Sequence, residues 1–202
     1  MQFKQFGNIK IDVEKMKIDM LSLSGHKIYA PKGVGALYIK EGIKINSYLN
    51  GGYQEFNKRA GTENVANIVG LGEACVLAKK YMNMHNKKLI EYRDYIFKEV
   101  SKNIPNVKIN GSIEKRLPGN CNFSFDNIES GELLLRLDEI GICASGGSAC
   151  SSNSENISHV LKAIEVEDKL AKGALRITLG DFNTSEDVEF LVRALKYIVK
   201  NK

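Results

Sequence analysis

No stretch of this sequence approaches the roughly 18 uninterrupted apolar residues that a membrane-spanning helix needs, and the N-terminus lacks an apolar signal core. A soluble chain of the cytoplasm, with no membrane partner, is expected. Proline is scarce, three residues against eighteen glycines, an imbalance that suits α/β enzymes whose backbone closes tightly on phosphate. Cys75, Cys121, Cys143 and Cys150 form no C-x-x-C pair, and His26, His85 and His159 stand far apart. That spacing argues against zinc, and a reducing compartment argues against disulfides. Repeats and low-complexity tracts are missing too. The 29 basic and 24 acidic residues leave a net charge of +5. The basic residues are scattered and accompany no recognised nucleic-acid module, so direct nucleic-acid binding is not expected.

What is present is the composition of a folded protein. The chain has 202 residues, 43% hydrophobic and 26% charged, near the globular average. A chain of this size buries about 70% of the surface exposed when unfolded. Met20–Leu23 reads as a strand, Ser24-Gly25-His26-Lys27 as a turn, and residues 34–39 as a second strand. A glycine-bearing loop follows, ending in Arg59-Ala60-Gly61-Thr62, with Thr62 suited to cap a helix. That helix is expected to break near residues 83–86 and to stop before Pro105. Ile68, Leu71, Cys75, Ala78 and Met82 share its core-facing stripe, which makes Cys75 a core residue.

Strands are expected at 107–109, 122–125, 142–144 and 175–179, with Cys121 and Cys143 buried beside them. Leu133, Leu134, Leu137 and Ile140 mark a helix ended by Gly141. Ile157, Val160, Leu161 and Ile164 mark another, and Thr184 with Asp187 forms a capping box for the last. Interleaved strands and helices imply a layered α/β or α+β fold.

Several residues could carry chemistry. Two hydroxyls, an imidazole and the amine of Lys27 converge where the first strand ends, a place suited to phosphate and to a desolvated, nucleophilic lysine. The same six residues also read as an ordinary exposed turn. Cys150 lies in a loop of Ser, Gly and Ala, where its thiol is either reactive or a spectator. Arg176 points away from Leu175, Ile177 and Leu179, which suits either bidentate capture of a carboxylate or a structural ion pair. Arg59 and Thr62 could bind an anion or simply start a helix.

Jointly, Ser22-Leu23-Ser24-Gly25-His26-Lys27, Arg59-Ala60-Gly61-Thr62-Glu63-Asn64, the segment Ser145 to Ser152, and Ala174-Leu175-Arg176-Ile177-Thr178-Leu179-Gly180 resemble the cysteine desulfurases. These are class V enzymes of the aminotransferase type, in the branch serving iron–sulfur cluster assembly. The resemblance implies the C-terminal portion of a fold-type I pyridoxal-phosphate transferase. Residues 1–84 would end the large cofactor-binding domain, and 85–202 would be the small α+β domain carrying the cysteine loop.

It further implies pyridoxal 5′-phosphate as cofactor, held covalently by Lys27, with Ser24 and His26 on its phosphate. Thr62 would reach the phosphate of the neighbouring subunit in a homodimer. Arg176 would bind the carboxylate of L-cysteine. Cys150 would take the sulfur, release alanine, and meet a scaffold or other sulfur-acceptor protein and its nascent iron–sulfur cluster. Gly146 replaces a common serine and Glu155-Asn156-Ile157 a frequent Leu-Glu-Pro; the first change is expected to be harmless. Rival expectations are a selenocysteine lyase or small-molecule aminotransferase, and a non-catalytic remnant that binds a scaffold.

Family members run to about twice this length, so this chain is expected to be inactive alone. Where the family usually shows Asp-Ala-Val-Gln-Ala-Phe-Gly, this chain has Met1-Gln2-Phe3-Lys4-Gln5-Phe6-Gly7. Reading one codon set for the family segment from its second base, with one adenine added before the last two codons, yields those seven residues. A one-base frame shift is therefore expected, with a desulfurase-like half encoded upstream.

Overall fold

In a computed structural model, which describes residues 7–147 and 157–201, the first strand-turn-strand pattern closes as a hairpin. β1 (Met20–Ser24) pairs antiparallel with β2 (Gly35–Ile39), placing Met20 opposite Ile39 and Ser24 opposite Gly35. Gly35 has to be glycine, because a Cβ there would strike the Leu23 carbonyl. A single 3-10 turn, Gly25–Ile28, leaves β1. α1 (Gln54–Asn57) is one short turn in the following loop, with Glu55 and Phe56 in left-handed conformations.

α2 runs from Val65 to Asn103 without interruption, which corrects the expected break at 83–86. Met82-Asn83-Met84-His85-Asn86 offers neither the proline nor the glycine that usually interrupts a helical ladder. The start also differs from expectation. Ile68 donates its amide to the Asn64 carbonyl at 3.0 Å, so Asn64, and not Thr62, occupies the cap position.

Two compact units divide the chain, Met1–Asn83 and Met84–Lys202. The first has a small core of Ile28, Ala30, Leu71 and Ala74, flanked by Leu23, Val34, Cys75 and Ala78. Cys75 is half-buried there, and burial pushes its thiol pKa up.

The second unit is built on an antiparallel sheet in the order β3-β4-β5, comprising Val107–Ile109, Asn120–Phe125 and Ala174–Thr178. Alternation decides its faces. Cys121 and Phe123 stand opposite Ile177 and Leu175 on the core side, while Asn122 and Ser124 stand opposite Arg176 and Ala174 on the other. The core side is covered by Ile96, Phe97 and Val100 of α2 and by Leu133 and Leu137 of α3 (Ser130–Asp138). The opposite side carries a lesser cluster from α4 (His159–Ala163), α5 (Asp168–Lys172) and Ala174. α6 (Ser185–Lys200) completes the main core through Leu191, Val192 and Leu195.

The capping box of α6 is formed both ways: Asp187 donates its amide to Thr184 Oγ1 at 3.2 Å, and Thr184 donates its own to Asp187 Oδ2 at 3.0 Å. Residues 142–144 form no strand. Ile142 and Ala144 pack on the main core while Cys143 between them is exposed, against the burial expected for it. Among the described residues no helix is long and apolar enough to cross a membrane. Cys150, the rest of its loop from Ser148, and the frame-shift segment Met1–Phe6 lie outside the described residues.

Candidate functional site

The Lys27 turn follows from two buried anchors. Gly25 is buried, donates its amide to the Val34 carbonyl at 2.9 Å, and accepts from the Ala30 amide at 3.1 Å. A Cβ on Gly25 would sit 2.9 Å from that Val34 carbonyl and 3.1 Å from Ala30 Cβ, so only glycine fits. Ile28, three residues on, is buried in the small core. Between these anchors His26 and Lys27 are left exposed. Ser24, at the end of β1, lies 3.0 Å from His26 through Oγ and Nδ1. Hydroxyl and imidazole thus stand together at one strand end, with Lys27 the next residue along the turn.

Thr62 belongs to the same unit, in a loop held by the bond from the Gly61 amide to Gln54 Oε1 at 3.1 Å and from the Ala60 amide to the Leu49 carbonyl at 3.2 Å. It is exposed. Among the described residues no hydrogen bond ties it to Ser24, His26 or Lys27.

Arg176 lies in the second unit at the centre of β5. Its neighbours Leu175 and Ile177 enter the core, which turns its half-buried side chain to the opposite face. Burial pulls the guanidinium pKa below its ordinary value, although arginine remains a cation at any physiological pH. Its Nε is buried without a hydrogen-bond partner among the described residues. The backbone of Arg176 also holds the root of the Cys150 loop. Ser145 donates to the Arg176 carbonyl at 3.1 Å, and Arg176 donates back to the Ser145 carbonyl at 2.6 Å. Ser145 Oγ then donates to the Gly147 carbonyl at 2.8 Å.

Two residues not expected at the site flank this arginine. Asn122 is its register partner on β4, and the Asn110 amide donates to the Asn122 carbonyl at 2.9 Å. Asn122 and Arg176 therefore pair across β4 and β5, and Asn110, the residue after β3, extends their row. Asn110 is buried, and its Nδ2 donates to Asn122 Oδ1 at 2.7 Å and to Ser124 Oγ at 2.9 Å. The polar alternation of Asn120, Asn122 and Ser124 was the available signal, but the row itself depends on strand register.

The Aminotransferase class-V family profile matches residues 3–191, and the chain belongs to that family of pyridoxal-phosphate enzymes. Within it, the similarity is to the cysteine desulfurases. The cysteine desulfurase IscS of Dictyoglomus turgidum is 50% identical over 96% of this chain and 49% of its own length. A NifS-like protein from Rickettsia africae, solved by X-ray crystallography, superposes with a TM-score of 0.87 at 31% identity, over 98% of this chain and 52% of that one. A structure of SspA in complex with cysteine gives a TM-score of 0.68 at 32% identity, over 91% and 50%. The chain spans about half the length of the curated relatives it matches.

Proposed function

We propose that this chain carries the C-terminal half of a cysteine desulfurase centre, which converts L-cysteine to alanine and leaves the sulfur on Cys150 as a persulfide. The observation that carries this reading is the two-way backbone pairing of Ser145 with Arg176. It ties the root of the cysteine loop to a strand residue whose guanidinium Nε has no partner among the described residues. A substrate carboxylate would satisfy that nitrogen through a charge-assisted bond, anchoring the amino acid at the strand to which the thiol's segment is fastened. The relative solved in complex with cysteine supports the same substrate.

Ser24 and His26 would hold the phosphate of pyridoxal 5′-phosphate, and Thr62 would hold that of a second subunit in a homodimer. When bound, the cofactor supplies an electron sink for charge left at the substrate Cα. Lys27 Nζ would hold the cofactor and move the Cα proton. Arg176 keeps the carboxylate fixed while this happens. The Cys150 thiolate then attacks the substrate sulfur, so that an S–S bond forms as the C–S bond breaks. The former substrate Cβ gains a proton and leaves as the methyl of alanine. The added sulfur passes next to a scaffold or other acceptor protein, where the same thiol can contact an iron–sulfur cluster.

The chain alone is expected to show no turnover. The test is a fusion of residues 7–202 to the unmatched half of the Dictyoglomus turgidum relative, given cofactor and cysteine. Mass spectrometry should find the cofactor on Lys27 and one extra sulfur on Cys150. Arg176→Lys keeps the charge but loses the planar fork, so KM for cysteine should rise more than kcat falls. Sulfur release that survives Cys150→Ser would overturn the reading.

A further inference from the structure

Among the described residues the guanidinium of Arg176 has no counter-charge: its Nε is buried without a hydrogen-bond partner, and no ion pair reaches it. Its neighbours in the sheet therefore decide what it can hold. Phe125 donates its amide to the Gly173 carbonyl at 3.0 Å, and Leu179 donates to the Gly119 carbonyl at 2.8 Å. Bonded and non-bonded pairs alternate along an antiparallel ladder. With the register of β4 on β5, Asn122 and Arg176 fall at a non-bonded pair. Such pairs bring Cα atoms to about 4.5 Å and side chains to their closest. The backbone agrees, since Arg176 spends both its amide and its carbonyl on Ser145 at the other edge. Ser145 commits its hydroxyl to the Gly147 carbonyl at 2.8 Å, which leaves Asn122 as the polar side chain set beside the arginine.

Asn122 meets Arg176 with one end already fixed. Its Oδ1 accepts from Asn110 Nδ2 at 2.7 Å, and its Nδ2 is left without a bond among the described residues. Asn110 is steadied by its second bond, to Ser124 Oγ at 2.9 Å. It holds this orientation although its own Oδ1 is buried with no partner among the described residues. An unpaired buried acceptor is costly and calls for a reason other than stability. An amide NH2 and a guanidinium are both donors, so neither can satisfy the other. Side by side, they need one acceptor with two oxygens.

We infer that Asn122 Nδ2 is a second donor to the substrate carboxylate beside Arg176, and that Asn110 is a positioning residue that sets its direction. The two donors together select substrates that carry a carboxylate over simple amines. This deepens the role proposed for Arg176 and rests on it.

The test uses the fusion of residues 7–202 to the unmatched half of the Dictyoglomus turgidum relative, loaded with cofactor, with affinities read from cofactor absorbance. Asn122→Ala should weaken binding of L-alanine at least about ten-fold, the weight of a bond to a charged acceptor. Binding of ethylamine, the same molecule without its carboxylate, should be unchanged. Asn122→Asp still accepts from Asn110 but sets a negative charge where the donor was, so it should weaken L-alanine further. Asn110→Ala should weaken it less than Asn122→Ala, because the donor stays and only its direction is lost. Equal losses for both ligands, or L-alanine bound by either Asn122 variant as tightly as by the parent, would overturn the inference. In this chain by itself, the side-chain NMR signals of Arg176 Nε and Asn122 Nδ2 should both shift on titration with L-alanine, and neither with ethylamine. A shift at Arg176 alone would overturn the role of Asn122 and leave that of Arg176 standing; no shift at either would refute both.

Discussion

Gly146 sits where the cysteine loop departs from β5, and the structure makes substitution there costly. A Cβ built on it would strike Ser130 Oγ, lie 3.2 Å from Ser130 Cβ and 3.5 Å from the Ala174 carbonyl. The Ser130 hydroxyl can rotate away, but its Cβ belongs to the first turn of α3. Residue 146 cannot retreat either, because Ser145 is bonded to Arg176 in both directions. Gly146→Ser, which installs the serine common in the resembling family, should therefore overpack the site by about 1–3 kcal/mol. Reduced chain entropy in the unfolded state offsets roughly 0.4–1 kcal/mol of that, leaving a net loss of about 1 kcal/mol, or a drop of roughly 4 °C in Tm for a unit of this size. Ser130→Gly removes both colliding atoms, so the loss should shrink in that background, with a coupling of at least about 1 kcal/mol. Thermal and urea unfolding of the four proteins in the cycle measure it. A Gly146→Ser protein as stable as the parent, or an identical loss with glycine at 130, would refute the steric argument.

The cap of α6 should respond to pH. The bond from the Thr184 amide holds the Asp187 carboxyl pKa below its ordinary value, so its stabilising contribution is complete above that value and disappears as pH falls through the lower folded one. Urea midpoints for parent and Asp187→Asn should differ near neutrality and converge below about pH 3, whereas Thr184→Ala should cost about 1 kcal/mol at neutral pH. The three cysteines among the described residues should alkylate in a fixed order: exposed Cys143 should react with iodoacetamide before half-buried Cys75, and Cys121 only on unfolding, since burial pushes its thiol up to about 12; peptide mapping over time gives the order. Ser124→Ala removes one buried acceptor from Asn110 while Asn122 keeps the other, so stability should fall by only about 1 kcal/mol in denaturant titration.

The parts of this fold legible in the sequence are those where one short period has one meaning. Cys121, Phe123 and Phe125 alternate with polar residues, and the two faces of β4 follow directly. Thr184 and Asp187 announce a cap three residues apart, and the bonds form as expected. The turn at Lys27 was readable as a cluster of donors because those residues are consecutive. Asn110 and Asn122 were not, because each is an ordinary strand or loop amide until strand pairing sets them in a row with Arg176. α2 shows a different limit. Its stripe of Ile68, Leu71, Cys75, Ala78 and Met82 read as core, yet Ile68 is exposed and Cys75 only half-buried. A helix with apolar residues on opposite sides gives no single direction for burial, so periodicity picks one stripe and misses the other. The two compact units divide at Asn83 and Met84 although no glycine or proline interrupts α2 there. That division is set by which residues find partners and not by any local break in the helical ladder.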